Sequence, residues 1–311
     1  MSRATFEPLR ITHDLRDRLC RALAEDIGRG DATTRAVIDR PTEGSAVTIA
    51  RKKGIVCGLP VVEEVFRLAD EWPQRRGERQ EARGKKREAR GGKKLRIQRL
   101  CREGDDVVPG DTVLEIRGNV ASILTAERVA LNFLQHLSGV ASLTRRYVEV
   151  LGNSTTQIFD TRKTTPLWRD LEKYAVRVGG GFNHRFGLDD MILIKNNHAD
   201  AAGNLGEAIR RAKRGRRGRK RIPLAAEARN LAEVRAAVAE RVDLILLDNF
   251  SPRSLRRALR EIPPGILTEA SGGMTLGRVR ALATLGVHRI SVGALTHSAP
   301  ALDFALRHGK P

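Results

Sequence analysis

With 311 residues, 41% of them hydrophobic, the chain has material for about two domains, and no apolar run approaches the ~18 residues of a membrane span. The opening MSRATFEPLR lacks the apolar stretch of a secretory signal, and Cys20, Cys57 and Cys101 lack metal-ligand spacing; a cytoplasmic protein with reduced thiols is expected. The net charge of +20 is concentrated in two places, since 72–96 carries +8 and 213–221 carries +7, leaving +5 elsewhere.

Neither basic run has periodic apolar positions, so both read as solvated insertions. Dense cations gain nucleic-acid affinity by releasing counterions. Neither run contains an aromatic suited to stacking on bases, although Trp72 borders the first. A basic RNA-associated protein therefore stays as one alternative, not as the main reading.

In the first half, Leu15, Leu19, Leu23 and Ile27 recur on one helical face behind Thr12, a suitable N-cap. GSAVTIARKKGIVCG alternates as strands do, and PVVEEVFRLA suits a helix opening on Pro60. GDDVVPGDTVLEIRG reads as strand, tight turn, strand. A long helical stretch over 122–151 follows, with a break expected at Ser138–Gly139. Residues 1–122 form the expected N-terminal domain and 123–311 the second.

The second half is regular. TQIFD leads through TRKTT to a helix over 166–178, with Thr165 as N-cap and Pro166 in the first turn. DMILIK precedes a helix after Asn204, and IPLAAEA precedes one opening on Asn230 and Glu233, a capping-box spacing. VDLILLDN precedes a Ser251-capped helix, GILTEAS a helix over 275–285, and HRISVG a helix over 299–308 that is free to return to the first domain. Six apolar strands separated by helices imply buried parallel strands. Six units fall short of a standard eight-unit barrel and could instead make a doubly wound sheet; a parallel β/α barrel, incomplete in its count, is the favoured expectation.

The six strands end in Asp160 to Lys163, Lys195, Glu227, Asp248, Ser271 to Gly273, and Gly293. In a parallel barrel these ends meet at one rim, where active sites are built. Any one polar strand end is an ordinary loop residue; six together are harder to dismiss. Arg162, Lys163 and Lys195, extended by His184 and Arg185, make a cationic floor suited to carboxylates or phosphates. Glu227 and Asp248 are counter-ions, Mg²⁺ ligands or partners for sugar hydroxyls. SGGMT and VGALTH offer glycine turns at helix N-termini, where backbone N–H groups favour an anion. The residues imply an enzyme acting on polyanionic small molecules, one of them a phosphorylated sugar. A Schiff-base aldolase using Lys195 competes on the same evidence.

DTRKTTPLWRDLEKYAVRVGGGFNHRFGLDDMILIKNNH (160–198) resembles quinolinate phosphoribosyltransferase (carboxylating), also called nicotinate-nucleotide pyrophosphorylase. The likeness extends through EDIGRGDATT, ERVALNFLQHLSGVASLT, LLDNFSP, EASGGM and ISVGALTHSA. It implies an N-terminal α/β sandwich domain joined to the incomplete barrel, a homodimer or larger assembly, and Mg²⁺. It implies formation of nicotinate mononucleotide, pyrophosphate and CO₂ from quinolinate and phosphoribosyl pyrophosphate, a step of NAD biosynthesis. By motif, Arg128 from a neighbouring subunit, Thr161, Arg162, Lys163, His184, Arg185 and Lys195 would meet quinolinate. Glu227 and Asp248 would bind ribose hydroxyls and Mg²⁺, while Ser271, Gly272, Gly273, Val292, Gly293, Ala294 and His297 would hold phosphate. Lys163, Lys195, Glu227 and Asp248 would be the catalytic set. Asn196 stands where the family usually shows Asp, which removes an acidic role there. A related phosphoribosyltransferase-like protein associated with molybdenum transport shares much of the signature and is a further alternative.

Overall fold

A computed structural model describes residues 6–38, 40–72, 94–216 and 222–309. Most of both basic runs lies outside the described residues, and with it the expectation of solvated insertions at 73–93 and 217–221. The chain folds as two units, residues 1–142 with 300–311, and 143–299. The division falls inside a helix at 142/143 rather than at the expected 122/123.

In the first unit, Thr12 caps α1 (His13–Ile27), accepting from Leu15 N–H at 3.2 Å, and Leu15, Leu19, Leu23 and Ile27 are buried. This helix lies against α3 (Leu59–Asp70), where Arg16 Nε donates to Glu64 at 2.7 Å. Between them run the short α2 (Ala32–Val37), β1 (Glu43–Ala50) and β2 (Gly54–Ile55). After β3 (Arg96–Arg99) and β4 (Asp106–Val107), β5 (Thr112–Asn119) leads directly into α4 (Val120–Glu149). The main sheet is antiparallel, in the order β12 (Phe304–Gly309), β1, β5, β3, and β2 pairs with β4.

Two sequence expectations are corrected here. The helix α4 does not break at Ser138–Gly139. Ser138 instead uses its hydroxyl to bind the Cys57 backbone, accepting from N at 2.9 Å and donating to O at 3.1 Å. Gly139 marks close approach, because a Cβ there would lie 2.2 Å from the Pro300 carbonyl oxygen. The second correction is the chain's end: the segment read as a helix over 299–308 ends in a strand, β12 (Phe304–Gly309), paired antiparallel with β1. Leu302 and Phe304 are buried. Phe304 opens the strand with Leu302 just before it, and the edge of β1 supplies the backbone partners that hold this segment extended.

The second unit is a set of β/α repeats. In chain order these are β6 (Gln157–Phe159), α5 (Arg169–Val178), β7 (Ile192–Ile194), α6 (Asn196–Ala202), α7 (Leu205–Gly215) and β8 (Leu224–Ala228). There follow α8 (Leu231–Ala239), β9 (Leu244–Asp248), α9 (Pro252–Glu261), β10 (Leu267–Ser271), α10 (Leu276–Ala283), β11 (Arg289–Ser291) and α11 (Ala294–His297). The strands form one parallel sheet in the order β6-β11-β10-β9-β8-β7. Last pairs with first, and among the described residues only a bridge at Phe182 adds to the outer side of β6. An α/β fold with an incomplete parallel barrel was expected from the apolar strands, and it is found.

Asn230 and Ser251 cap their helices as the sequence predicts, and Asn204 and Thr275 do the same, each accepting from the N–H three residues on. Thr165 does not cap its helix: α5 begins at Arg169, and Thr165 uses both its N–H and its hydroxyl to bind Glu172. Between them Leu167 takes a positive φ of 66°, which ends helical continuity with the loop. The start of the second basic run is also not loop. Lys213 and Arg214 lie in the last turn of α7, against Glu240 and Glu207. No helix among the described residues is long and apolar enough to cross a membrane.

Candidate active site

Because the six strands are parallel, their C-terminal ends share one side of the sheet. Thr161, Arg162 and Lys163 follow β6, His184 and Arg185 follow the Phe182 bridge, and Lys195 follows β7 as the N-cap of α6. Glu227 is the second-last residue of β8 and Asp248 the last of β9, Ser271 ends β10, and Gly293 follows β11.

Several of these side chains meet. Around Gly293, a Cβ would lie 3.0 Å from Lys163 Cδ and 3.2 Å from His297 Nε2, so the absent side chain makes room for both. The Thr296 hydroxyl donates to the Lys163 carbonyl at 2.7 Å, and Lys163 N–H donates to Thr161 Oγ1 at 3.1 Å. Burial, then the neighbouring Arg162, push Arg185 below its ordinary value. Two guanidiniums held together in this way raise the local positive potential. Arg185 Nη1 is anchored on the Met191 carbonyl at 2.9 Å.

On the other flank, burial raises the pKa of Glu227, Lys195 opposes that rise and Asp248 adds to it. Asp248 is held at both oxygens, by the Ser271 hydroxyl at 2.7 Å and by Asn249 Nδ2 at 3.0 Å. Asn249 has φ 58°, and its side chain occupies the space a Cβ on Gly272 would need. Among the described residues no three His, Cys, Asp or Glu side chains group as ligands for a metal ion. Two carboxylates completed by substrate phosphates and water are a common way to hold Mg²⁺. Glu227 and Asp248 therefore fit a cation that arrives with a diphosphate, not one held by protein alone.

Three expected residues, Asp160, Val292 and His184, differ from their sequence reading. Asp160 is no rim charge: it is fully buried. Its carboxylate accepts from Lys173 Nζ at 2.5 Å, Asn183 Nδ2 at 2.6 Å and His184 N–H at 2.8 Å. Lys173, itself fully buried, also donates to the His184 carbonyl at 2.8 Å. Desolvation pushes Asp160 up and Lys173 down, while three converging donors hold the carboxylate in its charged form. Val292 is buried, and its N–H is spent on the Phe159 carbonyl at 2.9 Å. Arg128 is an exposed residue of α4 in the first unit. His184 is not an exposed cation: its side chain is 7% exposed, and its pKa falls to about 4, first through burial and then through Lys173, Arg185, Arg289 and Lys195.

Sequence reading missed Lys173, Asn183, Asn249 and Glu269. Glu269 sits in the middle of β10 and is fully buried, and burial pushes its pKa up to about 7. The available signal was a carboxylate in mid-strand, within ILTEAS, which polarity at strand ends alone does not reveal.

Two outcomes follow from these burials. Lys173→Met leaves Asp160 charged, buried and short of a counter-ion, and should lower unfolding free energy by about 3–5 kcal/mol in denaturant titration. Asp160→Asn in the same background should restore part of that loss. For Glu269 the folded pKa lies above the unfolded value, so its favourable contribution is complete below pH 4.5 and lost as pH rises through about 7. Glu269→Gln should therefore gain stability on the wild type between about pH 4.5 and about pH 7 and stay level above, in paired denaturation curves.

The chain matches the family models for the N-terminal domain of quinolinate phosphoribosyl transferase over residues 31–138 and for its C-terminal domain over 140–307. It is 38% identical over 292 residues to a probable nicotinate-nucleotide pyrophosphorylase [carboxylating] of Synechocystis, covering 92% of this chain and 89% of that one. A Bacillus subtilis protein of the same name is 38% identical over 284 residues, covering 91% and 89%. The crystal structure of NadC from Streptococcus pyogenes superposes with a TM-score of 0.87 at 38% identity, covering 98% of this chain and all of that one. With two domain models in tandem and relatives matched along nearly their whole length, the chain belongs to the quinolinate phosphoribosyltransferase family.

Proposed function

We infer that the protein transfers the phosphoribosyl group of phosphoribosyl pyrophosphate to quinolinate and decarboxylates the product. The products are nicotinate mononucleotide, pyrophosphate and CO₂, as in NAD biosynthesis. The observation that carries this reading is the sorted rim: Arg162, Lys163, Arg185 and Lys195 supply cations, while Glu227 and Asp248 supply paired carboxylates beside a glycine turn. A pyridine dicarboxylate matches the first group, and a ribose carrying phosphates matches the second. The curated relatives are nicotinate-nucleotide pyrophosphorylases, which favours this reading over the molybdenum-transport-associated one. Lys195 is exposed, whereas an amine nucleophile is commonly activated by desolvation, so the aldolase reading has no support of its own.

In the proposed reaction the Arg and Lys side chains hold both carboxylates and aim the ring nitrogen at ribose C1. The nitrogen lone pair forms the new C–N bond as the C1–O bond breaks and pyrophosphate leaves with its electron pair. Glu227 and Asp248 orient the ribose hydroxyls and would hold Mg²⁺, which when bound neutralises charge on the departing diphosphate. Ser271, the Gly272–Gly273 turn, the Gly293–Ala294 backbone and His297 receive phosphate oxygens. The carboxylate next to the ring nitrogen then leaves as CO₂. The electron pair of the broken C–C bond stays on the ring carbon, stabilised by the adjacent positive nitrogen, until water protonates it. No general-base side chain is needed for that order.

Arg162→Ala or Lys163→Ala should lower turnover by about 10²-fold or more. Release of CO₂ from carboxyl-labelled quinolinate should require both phosphoribosyl pyrophosphate and Mg²⁺; release without the sugar donor would remove the transferase reading. We also propose that the protein is a homodimer in which Arg128 reaches the neighbouring subunit's site. Mixing inactive Arg128→Ala and Lys163→Ala proteins should then restore activity through hybrid dimers that retain one intact site. Mixtures that exchange subunits and remain inactive would place Arg128 outside the site.

A further inference from the structure

Beneath the cationic floor the second unit holds two orphan groups that face each other. His184 Nε2 lies 3.5 Å from Glu269 Oε1. Neither that nitrogen nor either carboxyl oxygen of Glu269 has a hydrogen-bond partner among the described residues. Buried polar atoms without partners are rare enough to need a reason. The other ring nitrogen, Nδ1, accepts the Arg185 N–H at 2.8 Å.

A ring nitrogen that accepts an amide proton cannot carry one. A neutral imidazole in this setting must therefore be protonated at Nε2, on the side of Glu269. An imidazolium would put a second proton against the Arg185 amide. It would also add a charge beside Lys173, Arg185, Arg289 and Lys195, all of which disfavour it. Burial raises the pKa of Glu269; the Ser291 hydroxyl and then Arg289, both of β11, oppose that rise, and Asp160 after β6 adds to it.

We propose that Glu269 is a positioning residue for the substrate-carboxylate site: it receives the Nε2–H of His184, and so leaves Nδ1 to fix the Arg185 backbone and the direction of its guanidinium. This rests on the reading in which Arg185 meets quinolinate. His184 then serves that site through Arg185 and not as a charge of its own. It also gives Glu269 a task that burial in a barrel strand would otherwise make purely costly.

The test reads the ring directly, by two-bond ¹H–¹⁵N correlation spectra of histidine-labelled protein, with His184 assigned by its loss in His184→Asn. The wild type near pH 7 should show a neutral His184 protonated at Nε2. Glu269→Gln keeps an acceptor in place and should keep that pattern. Glu269→Met removes it, so the single Nε2–H pattern should be lost and KM for quinolinate should rise about tenfold or more, with KM for phosphoribosyl pyrophosphate little changed. An imidazolium or an Nδ1–H ring in the wild type overturns the proposal. So does a folded Glu269→Met protein with the wild-type His184 signal and quinolinate KM. If Glu269→Met does not fold, the wild-type and Glu269→Gln spectra still decide the tautomer. The tautomer is read without substrate, so failure of the carboxylate-site reading shows separately, as an unchanged quinolinate KM in Arg185→Ala.

Discussion

The rim is organised around one buried carboxylate. Asp160 closes β6, and three donors from α5 and the 183–184 loop converge on it: Lys173 Nζ, Asn183 Nδ2 and the His184 amide. A charge with no access to water must keep its partners, because losing one leaves an uncompensated ion in a low-dielectric interior. The strand end, the helix and the loop are therefore locked to one another. Arg162 and Lys163 leave β6 immediately after this knot, and His184 and Arg185 belong to the loop it ties down. The floor's geometry is inherited from a residue that does not itself face the mouth.

Above that knot the rim is divided by charge. Positive groups gather where β6, the Phe182 segment and β7 end; carboxylates gather at β8 and β9. Such a division offers a dianionic ring and a phosphorylated sugar different footholds, and it brings the two reacting partners to adjacent places. The carboxylate flank is itself braced. Asn249, in the left-handed conformation that asparagine tolerates better than most residues, bonds Asp248 while its side chain fills the hollow over Gly272. Ser271 completes the brace from the next strand. Prearranged dipoles and charges of this kind need no reorganisation as the reaction proceeds.

His184 shows how far composition and placement can differ. Counted by residue type it belongs with the cations, and motif resemblance sets it among the ligand-binding groups. Buried at 7% exposure, with one nitrogen on the Arg185 amide and the other toward Glu269, it is a neutral spacer between the barrel interior and an arginine. Charge is a property of surroundings as much as of side chain.

Periodicity and capping residues determined the second unit's repeats, since apolar strands and N-caps such as Asn204, Asn230 and Ser251 act over a few neighbouring residues. Strand-end polarity also marked the rim, from Lys163 to Gly293, because parallel strands must deliver their ends to one side. Tertiary structure alone decided the rest. The last segment became a strand because β1 had an open edge, and Gly139 served a close backbone contact and not a helix break. Asp160 with Lys173, and His184 with Glu269, are pairs 13 and 85 residues apart, judged from their positions in the chain. No local pattern announces such pairs, because only folding brings the partners together and removes the water that would otherwise make them independent.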